Sequence, residues 1–228
     1  MSEATRALVE TVVGIGGREV SLLHPPDAEA LLSEEAFERE EFLPYWAELW
    51  PSGLALAREV AGRPLAGARV LELGCGLGLP SLAAALGGAD VLATDWARDA
   101  IALLDRNAER NGIRLETAAV SWTAPAPLVE RGPWDLVLAA DVLYERRDAE
   151  PLLDLLPRLV TRDEAPASPL PSNTVLQARG SRRPGEILLA EPGRPPAAAF
   201  LAAARERWQV RTTPLQERPR VDLHAISV

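Results

Sequence analysis

Apolar runs of strand length alternate with helical segments from residue 68 to residue 206, and no other feature limits the possible fold as much. The pattern predicts strands at 68–73, 89–94, 115–120, 134–140 and 186–190, with helices at 79–86, 98–111, 149–160 and 197–206. Alternation of this kind is typical of right-handed βαβ units. We therefore predict an α/β fold in which helices cover both faces of a parallel sheet.

The two ends of the chain extend this unit. Residues 10–23 contain two β-rich runs around a pair of glycines, which predict a hairpin. Residues 33–42 predict a short acidic helix, and a further helical pattern runs from 53 to 60. At the other end, residues 210–213 and 225–228 are expected to close the sheet as a second hairpin.

These boundaries divide the chain into two regions. Residues 1–52 would hold the hairpin, the acidic helix and an aromatic segment, and residues 53–228 would form the main domain. Within that domain, residues 163–184 are rich in proline, serine and charge, where a short turn would be enough. This composition favours a disordered insertion over a functional lid.

The charge and composition narrow the possible partners. The 228 residues suit one α/β domain, and the formal net charge of −9 argues against a nucleic-acid partner, since such proteins need basic faces. No apolar run reaches membrane-span length and the N-terminus lacks a signal-peptide pattern, so we expect a cytoplasmic monomer without membrane contact. With a single cysteine and two histidines, the sequence does not predict a zinc cluster. All 24 basic residues are arginine.

A glycine-rich segment, ELGCGLG at residues 72–78, follows a predicted strand and opens a helix. Glycines at alternate positions let the backbone turn tightly against a ligand, and the helix adds amide donors. The GxGxG spacing is the one used to hold S-adenosylmethionine, whereas the dinucleotide fingerprint needs glycine where this chain has Leu79. Glu72 would receive the cofactor's amino group or cap local backbone donors.

Two further strand ends carry residues suited to a nucleoside. Asp95 ends the second predicted strand in the sequence TDW, where a carboxylate can accept hydrogen bonds from both ribose hydroxyls or cap the next helix. Trp122 closes the third, where an indole ring offers stacking area for adenine.

The fourth strand of the alternation leads into ADVLY at residues 140–144. Because ligands of open parallel sheets bind beyond the carboxyl ends of the strands, Asp141 and Tyr144 are expected to reach the reactive end of the cofactor. The alternative is structural, with Asp141 capping a helix and Tyr144 in the core.

The segments PYWAELWPSG, ELGCGLGLPSLAAA, ATDW, SW and ADVLY occur in that order and together resemble methyltransferase family 16, the seven-β-strand protein-lysine methyltransferases. The family includes enzymes that act on valosin-containing protein, Hsp70 chaperones and the electron-transfer flavoprotein β subunit. The resemblance covers residues 43–162 well and 186–194 less closely, and residues 163–184 depart from it.

The resemblance implies a class I (Rossmann-like) methyltransferase fold with a seven-stranded, mostly parallel sheet, and S-adenosylmethionine as cofactor. It implies that Asp141 and Tyr144 contact the substrate lysine. Together with the motifs above, the expected cofactor-binding residues are Trp50, Glu72, Gly74, Cys75, Gly76, Asp95, Trp96, Trp122 and Ala140. Tyr45, Trp46 and Trp50 are expected to cap the sheet edge, with Trp46 packed beneath as core.

Several readings remain open. The favoured function is methyl transfer to a lysine ε-amine of a protein. The alternatives are methylation of a small amine and a catalytically silent scaffold of the same fold, and hydride transfer ranks last because of Leu79. Arg194 is expected to stabilise its loop more than to face substrate, and Cys75 is expected to be a small loop residue rather than a nucleophile.

Overall fold

The computed structural model describes residues 8–28, 44–161, 185–215 and 217–228. The predicted acidic helix at 33–42 and the predicted insertion at 163–184 lie outside these residues. Helices in the described part are α1 Pro51–Ala61, α2 Leu79–Leu86, α3 Arg98–Arg110, α4 Ala126–Glu130, α5 Ala149–Val160 and α6 Pro195–Arg207, with 3-10 turns at Tyr45–Ala47 and Arg146–Asp148. None of these helices is long and apolar enough to cross a bilayer.

The strands form two sheets. They are β1 Val9–Ile15, β2 Arg18–His24, β3 Arg69–Leu73, β4 Asp90–Asp95, β5 Glu116–Ala119, β6 Leu136–Ala140, β7 Glu186–Glu191, β8 Gln209–Leu215 and β9 Val221–Ser227. β1 and β2 make the predicted N-terminal hairpin, and the other strands make a seven-stranded sheet of order β5-β4-β3-β6-β7-β9-β8. The predicted fold class, a mostly parallel seven-stranded sheet with an N-terminal hairpin, is confirmed.

The sheet departs from the predicted pattern at its C-terminal end. β9 begins at Val221 instead of residue 225 and lies between β7 and β8, antiparallel to both. The sequence pattern did not show this start because Asp222 and His224 are polar, although His224 is buried against Glu191 of β7. The five-residue helix α4, which follows Pro125 and buries Leu128, was also absent from the prediction.

The order of the parallel strands determines where a site can form. β3 pairs with β4 on one side and β6 on the other, so the connections leave β3 and β6 in opposite directions. In open α/β sheets, ligands bind at such a reversal, outside the carboxyl ends of the strands. The loops after β3, β4, β5, β6 and β7 all emerge at that edge.

The core consists of two apolar layers, one on each face of the sheet. One layer joins the hairpin, α1, α2 and α3 through buried residues such as Val13, Leu22, Leu56, Leu82 and Leu104. The other joins α5 and α6 to the opposite face through residues such as Leu156, Leu159 and Phe200. Because the hairpin shares a layer with α1, it is part of the domain core.

Asn107 of α3 and Asn111, directly after that helix, attach the hairpin. The Asn107 side chain, fully buried, accepts from the backbone N–H of Leu23 at 2.7 Å and donates to its carbonyl at 3.1 Å. Asn111 makes the same pair of bonds to Ser21 at 2.9 and 2.7 Å. These side chains pair the outer backbone groups of β2 on the side where, among the described residues, no strand pairs with it, and so satisfy partly buried polar groups.

Asn107→Ala should lower the free energy of unfolding by roughly 2 kcal/mol, because two backbone groups of Leu23 lose their partner. Urea unfolding measures the change. Arg106→Ala, an exposed position on the same helix, is the control and should change stability by less than about 0.5 kcal/mol. Equal losses in the two variants would contradict the role of Asn107 in docking the hairpin.

Candidate active site

A cavity of about 760 Å³ opens at the carboxyl edge of the sheet, where the strand order reverses. Its wall contains every residue that the sequence singled out for cofactor or substrate: Trp50, Glu72, Gly74, Cys75, Gly76, Asp95, Trp96, Trp122, Ala140, Asp141 and Tyr144. Five separate loops and strand ends contribute these residues. The fold therefore gathers the predicted site into one place, and the role of each residue there stays a proposal.

The glycine loop after β3 forms one wall of the cavity. Gly74, Gly76 and Gly78 have φ values of 64°, 50° and 72°, in the left-handed region that side chains rarely adopt. A Cβ on Gly74 would lie 2.9 Å from Cγ1 of Val142, and one on Gly76 would lie 3.1 Å from the Trp46 carbonyl. Glycine is therefore required both by conformation and by the close approach of the neighbouring loops.

Glu72 lies beneath this loop with 1% of its surface exposed. One carboxyl oxygen accepts from the backbone N–H of Ser81 at 2.9 Å and from its hydroxyl, in the first turn of α2. Burial raises the pKa of Glu72 to about 8. These contacts match the capping alternative for Glu72, while a contact with the cofactor's amino group stays a proposal.

Asp95 ties the second strand end to the glycine loop. One carboxylate oxygen accepts from the Gly76 N–H at 3.0 Å, and the other accepts from the Ala97 N–H at 2.9 Å, where α3 begins. Burial raises the pKa of Asp95, and these backbone donors oppose the rise. The Trp96 backbone is a third donor to this carboxylate, which has about four acceptor sites, so capping leaves capacity for a ribose hydroxyl.

The remaining residues of the predicted nucleoside end lie around this wall. Trp122 follows β5 by three residues, and its ring lies 3.6 Å from a Cβ built on Gly74. Trp96, after β4, lines the cavity with 49% of its surface exposed. Burial raises the pKa of the Cys75 thiol well above its usual value, which fits a small loop residue and opposes a nucleophile.

Asp141 is held in an unusual backbone and charge environment. Its φ of 55° is positive, the single such value among non-glycine residues of the described ranges. Its side chain is 6% exposed and forms a two-point ion pair with Arg194, whose Nε and Nη2 donate to the two carboxylate oxygens at 2.6 and 3.1 Å. The sequence predicted Asp141 in the site but gave no partner for it.

Arg194 itself is fixed by the loop after β7. One oxygen of Glu191 accepts from the backbone N–H groups of Gly193 at 2.6 Å and Arg194 at 3.1 Å. The other oxygen lies 3.2 Å from Nε2 of buried His224. The loop contacts of Arg194 thus come from its backbone, and sequence reasoning, which weighed loop support against facing substrate, missed the pairing of its side chain with Asp141. The sequence did hold a signal for this contact: Arg194 follows a predicted parallel strand, so it lies at the same sheet edge as ADVLY.

Aromatic rings form the outer wall of the cavity. The Trp50 indole N–H donates to the Tyr45 carbonyl at 2.7 Å, and the rings of these residues pack edge to face with centroids 6.0 Å apart. Tyr45 also packs on Tyr144 at 5.4 Å, and the Arg194 guanidinium lies 5.5 Å from the Trp50 ring. Trp46 is half-buried and lines the cavity, so its predicted core position is wrong.

Tyr144 is a neutral phenol at physiological pH. Burial, with the nearby Asp148 carboxylate, raises its pKa to about 12. It therefore offers an O–H donor as well as an acceptor to a bound group.

Solved structures share this fold. The 16S rRNA N2 G1207 methyltransferase of Thermus thermophilus, determined with S-adenosylmethionine and guanosine, superposes with a TM-score of 0.62 at 15% identity. The alignment covers 97% of this chain and 51% of that one. The sheet order, the glycine loop and the cavity at the strand ends define a class I S-adenosylmethionine-dependent methyltransferase fold.

Sequence comparison gives the family. Residues 45–169 match the lysine methyltransferase family, and the chain belongs to that S-adenosylmethionine-dependent family. The electron transfer flavoprotein beta subunit lysine methyltransferase of Xenopus laevis is 39% identical over 121 residues, 51% of this chain and 48% of that protein. The chain therefore matches about half the length of this relative.

Two other relatives differ in the residue they modify. Protein N-lysine methyltransferase METTL21A of Danio rerio is 30% identical over 154 residues, covering 63% of this chain and 70% of that protein. Histone-arginine methyltransferase METTL23 of Xenopus laevis is 34% identical over 115 residues, covering 48% of this chain and 49% of that protein.

Gly74→Ala should weaken binding of S-adenosylhomocysteine at least tenfold, because the new Cβ forces Val142, which lines the cavity, to move. Gly112→Ala is a matched control: Gly112 has the same φ of 64° but nothing within 4 Å of its added Cβ. Both variants pay the strain of a left-handed alanine, roughly 1 kcal/mol, and Gly74→Ala adds the collision with Val142, so its thermal unfolding should shift at least as much as that of Gly112→Ala. Calorimetric titration measures the affinities, and a parallel loss in both variants would contradict the assignment of this wall.

Proposed function

We propose that this protein transfers a methyl group from S-adenosylmethionine to the ε-amino group of a lysine in a protein substrate. One observation supports it most: Asp141 and Tyr144, which leave β6 together, line the same cavity as the glycine loop. A carboxylate and a neutral phenol can orient an amine there, beside the wall suited to the cofactor.

The cavity wall fits the cofactor on physical grounds. The glycine loop lets the cavity-lining residues Val142 and Trp46 approach its backbone more closely than a Cβ would allow. Asp95 has acceptor capacity for a ribose hydroxyl, and Trp122 offers a ring for adenine. We assign cofactor contacts to Trp50, Glu72, Gly74, Cys75, Gly76, Asp95, Trp96, Trp122 and Ala140. When bound, S-adenosylmethionine supplies a methyl group on a sulfonium, and transfer to a neutral amine forms an N–C bond as the S–C bond breaks and its electron pair stays on sulfur.

The protein's own residues position the acceptor. A lysine arrives as an ammonium, with a reference pKa of about 10.4, and releases one proton to solvent before it can react. Asp141 then orients the amine and stabilises the positive charge that develops on nitrogen. Tyr144 supplies a hydrogen bond, and Tyr45 with Trp50 limits access of water to the reacting atoms.

The names of two relatives and the net charge of the chain point to a class of substrate. Two relatives that are each 39% identical to this chain are named for the electron transfer flavoprotein beta subunit, which makes that protein the first candidate substrate. The net charge of −9 suits a cationic acceptor. We further propose a cytoplasmic monomer that engages neither nucleic acid nor membrane.

Tritiated S-adenosylmethionine and purified electron transfer flavoprotein beta subunit provide the first test. We expect label on that protein, and mass spectrometry should locate it on lysine. The enzyme has no lysine, so label on its own side-chain amines does not interfere. Label on arginine would point to the acceptor of the METTL23 relative, label on small amines alone to a metabolite enzyme, and no cofactor binding to a silent scaffold. Each of these three results would contradict the proposal.

Asp141→Asn should lower kcat on the order of a hundredfold, because the carboxylate charge at the acceptor is lost. Affinity for S-adenosylhomocysteine, measured by calorimetry, should stay within about threefold. Asp222→Asn is the control, since Asp222 also pairs with an arginine, Arg220, outside the cavity wall. Wild-type turnover in Asp141→Asn would remove Asp141 from the mechanism.

Trp50→Ala should weaken S-adenosylmethionine binding several-fold with the fold intact, since the ring lines the cavity and packs on Tyr45. Trp50→Phe keeps an aromatic ring but loses the indole donor to the Tyr45 carbonyl. We expect Trp50→Phe to retain most of the affinity if ring area matters more than the hydrogen bond. An unchanged dissociation constant in Trp50→Ala would exclude Trp50 from the site.

A further inference from the structure

The ion pair between Asp141 and Arg194 lies where the proposed acceptor must bind. Asp141 is almost fully buried, Arg194 is 37% exposed at its side chain, and both line the cavity. Both carboxylate oxygens take part, at 2.6 and 3.1 Å. Since Glu191 fixes the Arg194 backbone, this guanidinium is a built component of the acceptor end.

The ion pair affects the protonation state of a lysine amine bound beside Asp141. A lone buried carboxylate beside a lysine favours the ammonium form, raising an amine pKa by about 1 to 3 units when the charges lie within ~4–6 Å. The reacting form is the neutral amine, already only about one molecule in a thousand near pH 7.4. Asp141 without a counter-charge would therefore hold the acceptor in its unreactive state.

We propose that Arg194 is a positioning residue that offsets part of the charge of Asp141, so that the carboxylate orients the acceptor amine and supports the charge that develops during transfer while favouring the full ammonium form less. The inference rests on the proposed methyl transfer to an amine. Arg194 acts through Asp141 and donates no proton. The proton of the ammonium goes to solvent, and the pair itself keeps its charges throughout.

The other charged groups near the Asp141–Arg194 pair are the same in wild type and in every variant proposed below. The Arg194 guanidinium pairs with Asp141 and also senses Tyr45 and Glu191 electrostatically. Tyr144 senses the charges of Asp148, Asp95, Glu145 and Arg147. Glu191 lies beside His224, and Glu145 pairs with Arg147 at 2.5 Å, so a change at Arg194 mainly alters the charge on the Asp141 side.

The first test needs no acceptor. Methyl transfer brings the sulfonium and the amine within about 3.5 Å of each other, so both sense the charge at Asp141. S-adenosylmethionine carries one positive charge more than S-adenosylhomocysteine, and the ratio of their dissociation constants reports that charge. Arg194→Gln should shift the ratio about tenfold towards S-adenosylmethionine. Asp141→Asn, which leaves Arg194 unpaired, should shift it the other way.

Matched variants separate charge from packing. Arg194→Lys keeps the charge and should keep the ratio of dissociation constants close to that of wild type. In the double variant Asp141→Asn/Arg194→Gln the two charge changes cancel, so the ratio should return towards the wild-type value. Arg63→Gln removes a partly exposed arginine that pairs with Glu186 at the opposite end of β7, and should leave the ratio unchanged. If Arg194→Gln does not fold, Asp141→Asn still tests the inference, because the unpaired Arg194 should then shift the ratio towards S-adenosylhomocysteine.

The second test is the pH dependence of kcat, which reports the ionisation of the bound acceptor. With the protein substrate found by tritium labelling, Arg194→Gln should lower kcat about tenfold at pH 7.5 and move the alkaline midpoint up by about one unit. KM should not rise, since the ammonium form binds at least as well, and Arg194→Lys should restore the wild-type midpoint. Each variant is compared with wild type at the same pH.

The outcomes distinguish the inference from the function on which it rests. If wild type binds neither S-adenosylmethionine nor S-adenosylhomocysteine, the proposed function and the inference both fail. If wild type binds and methylates while Arg194→Gln changes neither the ratio nor the midpoint, the inference alone fails. A lower KM with an unchanged or higher kcat would mean that Arg194 competes with the acceptor for Asp141, which would also overturn it.

Discussion

Parallel strands of one sheet must end at the same edge, and the whole candidate site follows from that constraint. β3, β4 and β6 bring the glycine loop, Asp95 and Asp141 to the wall of one cavity, although they are far apart in the chain. The reversal of strand order beside β3 opens the space between their loops. The hydrogen bond from the Gly76 N–H to Asp95 then locks two of these loops together.

The sequence predicted the parts of the fold that depend on local pattern. Buried strands read as apolar runs, and the helix Leu79–Leu86 was predicted at its observed bounds because its pattern is bounded by glycines. The site residues at strand ends could be predicted for the same reason: parallel topology determines which edge they share. Their grouping needed only the order of elements and the rule for ligand position.

Long-range pairings were beyond the reach of such patterns. Asp141 and Arg194 are 53 residues apart, and their contact depends on the pairing of β6 with β7 and on the loop geometry that Glu191 sets. The attachment of β2 by Asn107 is likewise a contact between side chain and distant backbone, which no periodicity signals. β9 was misread because a buried histidine interrupts its apolar alternation.

Glu72 gives the protein a pH limit that opposes its proposed chemistry. Its pKa is raised by burial to about 8 in the folded protein, against an unfolded value of about 4.3. A carboxyl group raised in this way contributes stability that is complete below the unfolded pKa and is lost as the pH rises through 8. Amine methylation gains reactive acceptor with rising pH, whereas the support beneath the glycine loop becomes charged over the same range. The working optimum of such a catalyst is then a compromise between the supply of neutral amine and the integrity of the loop proposed to hold its cofactor.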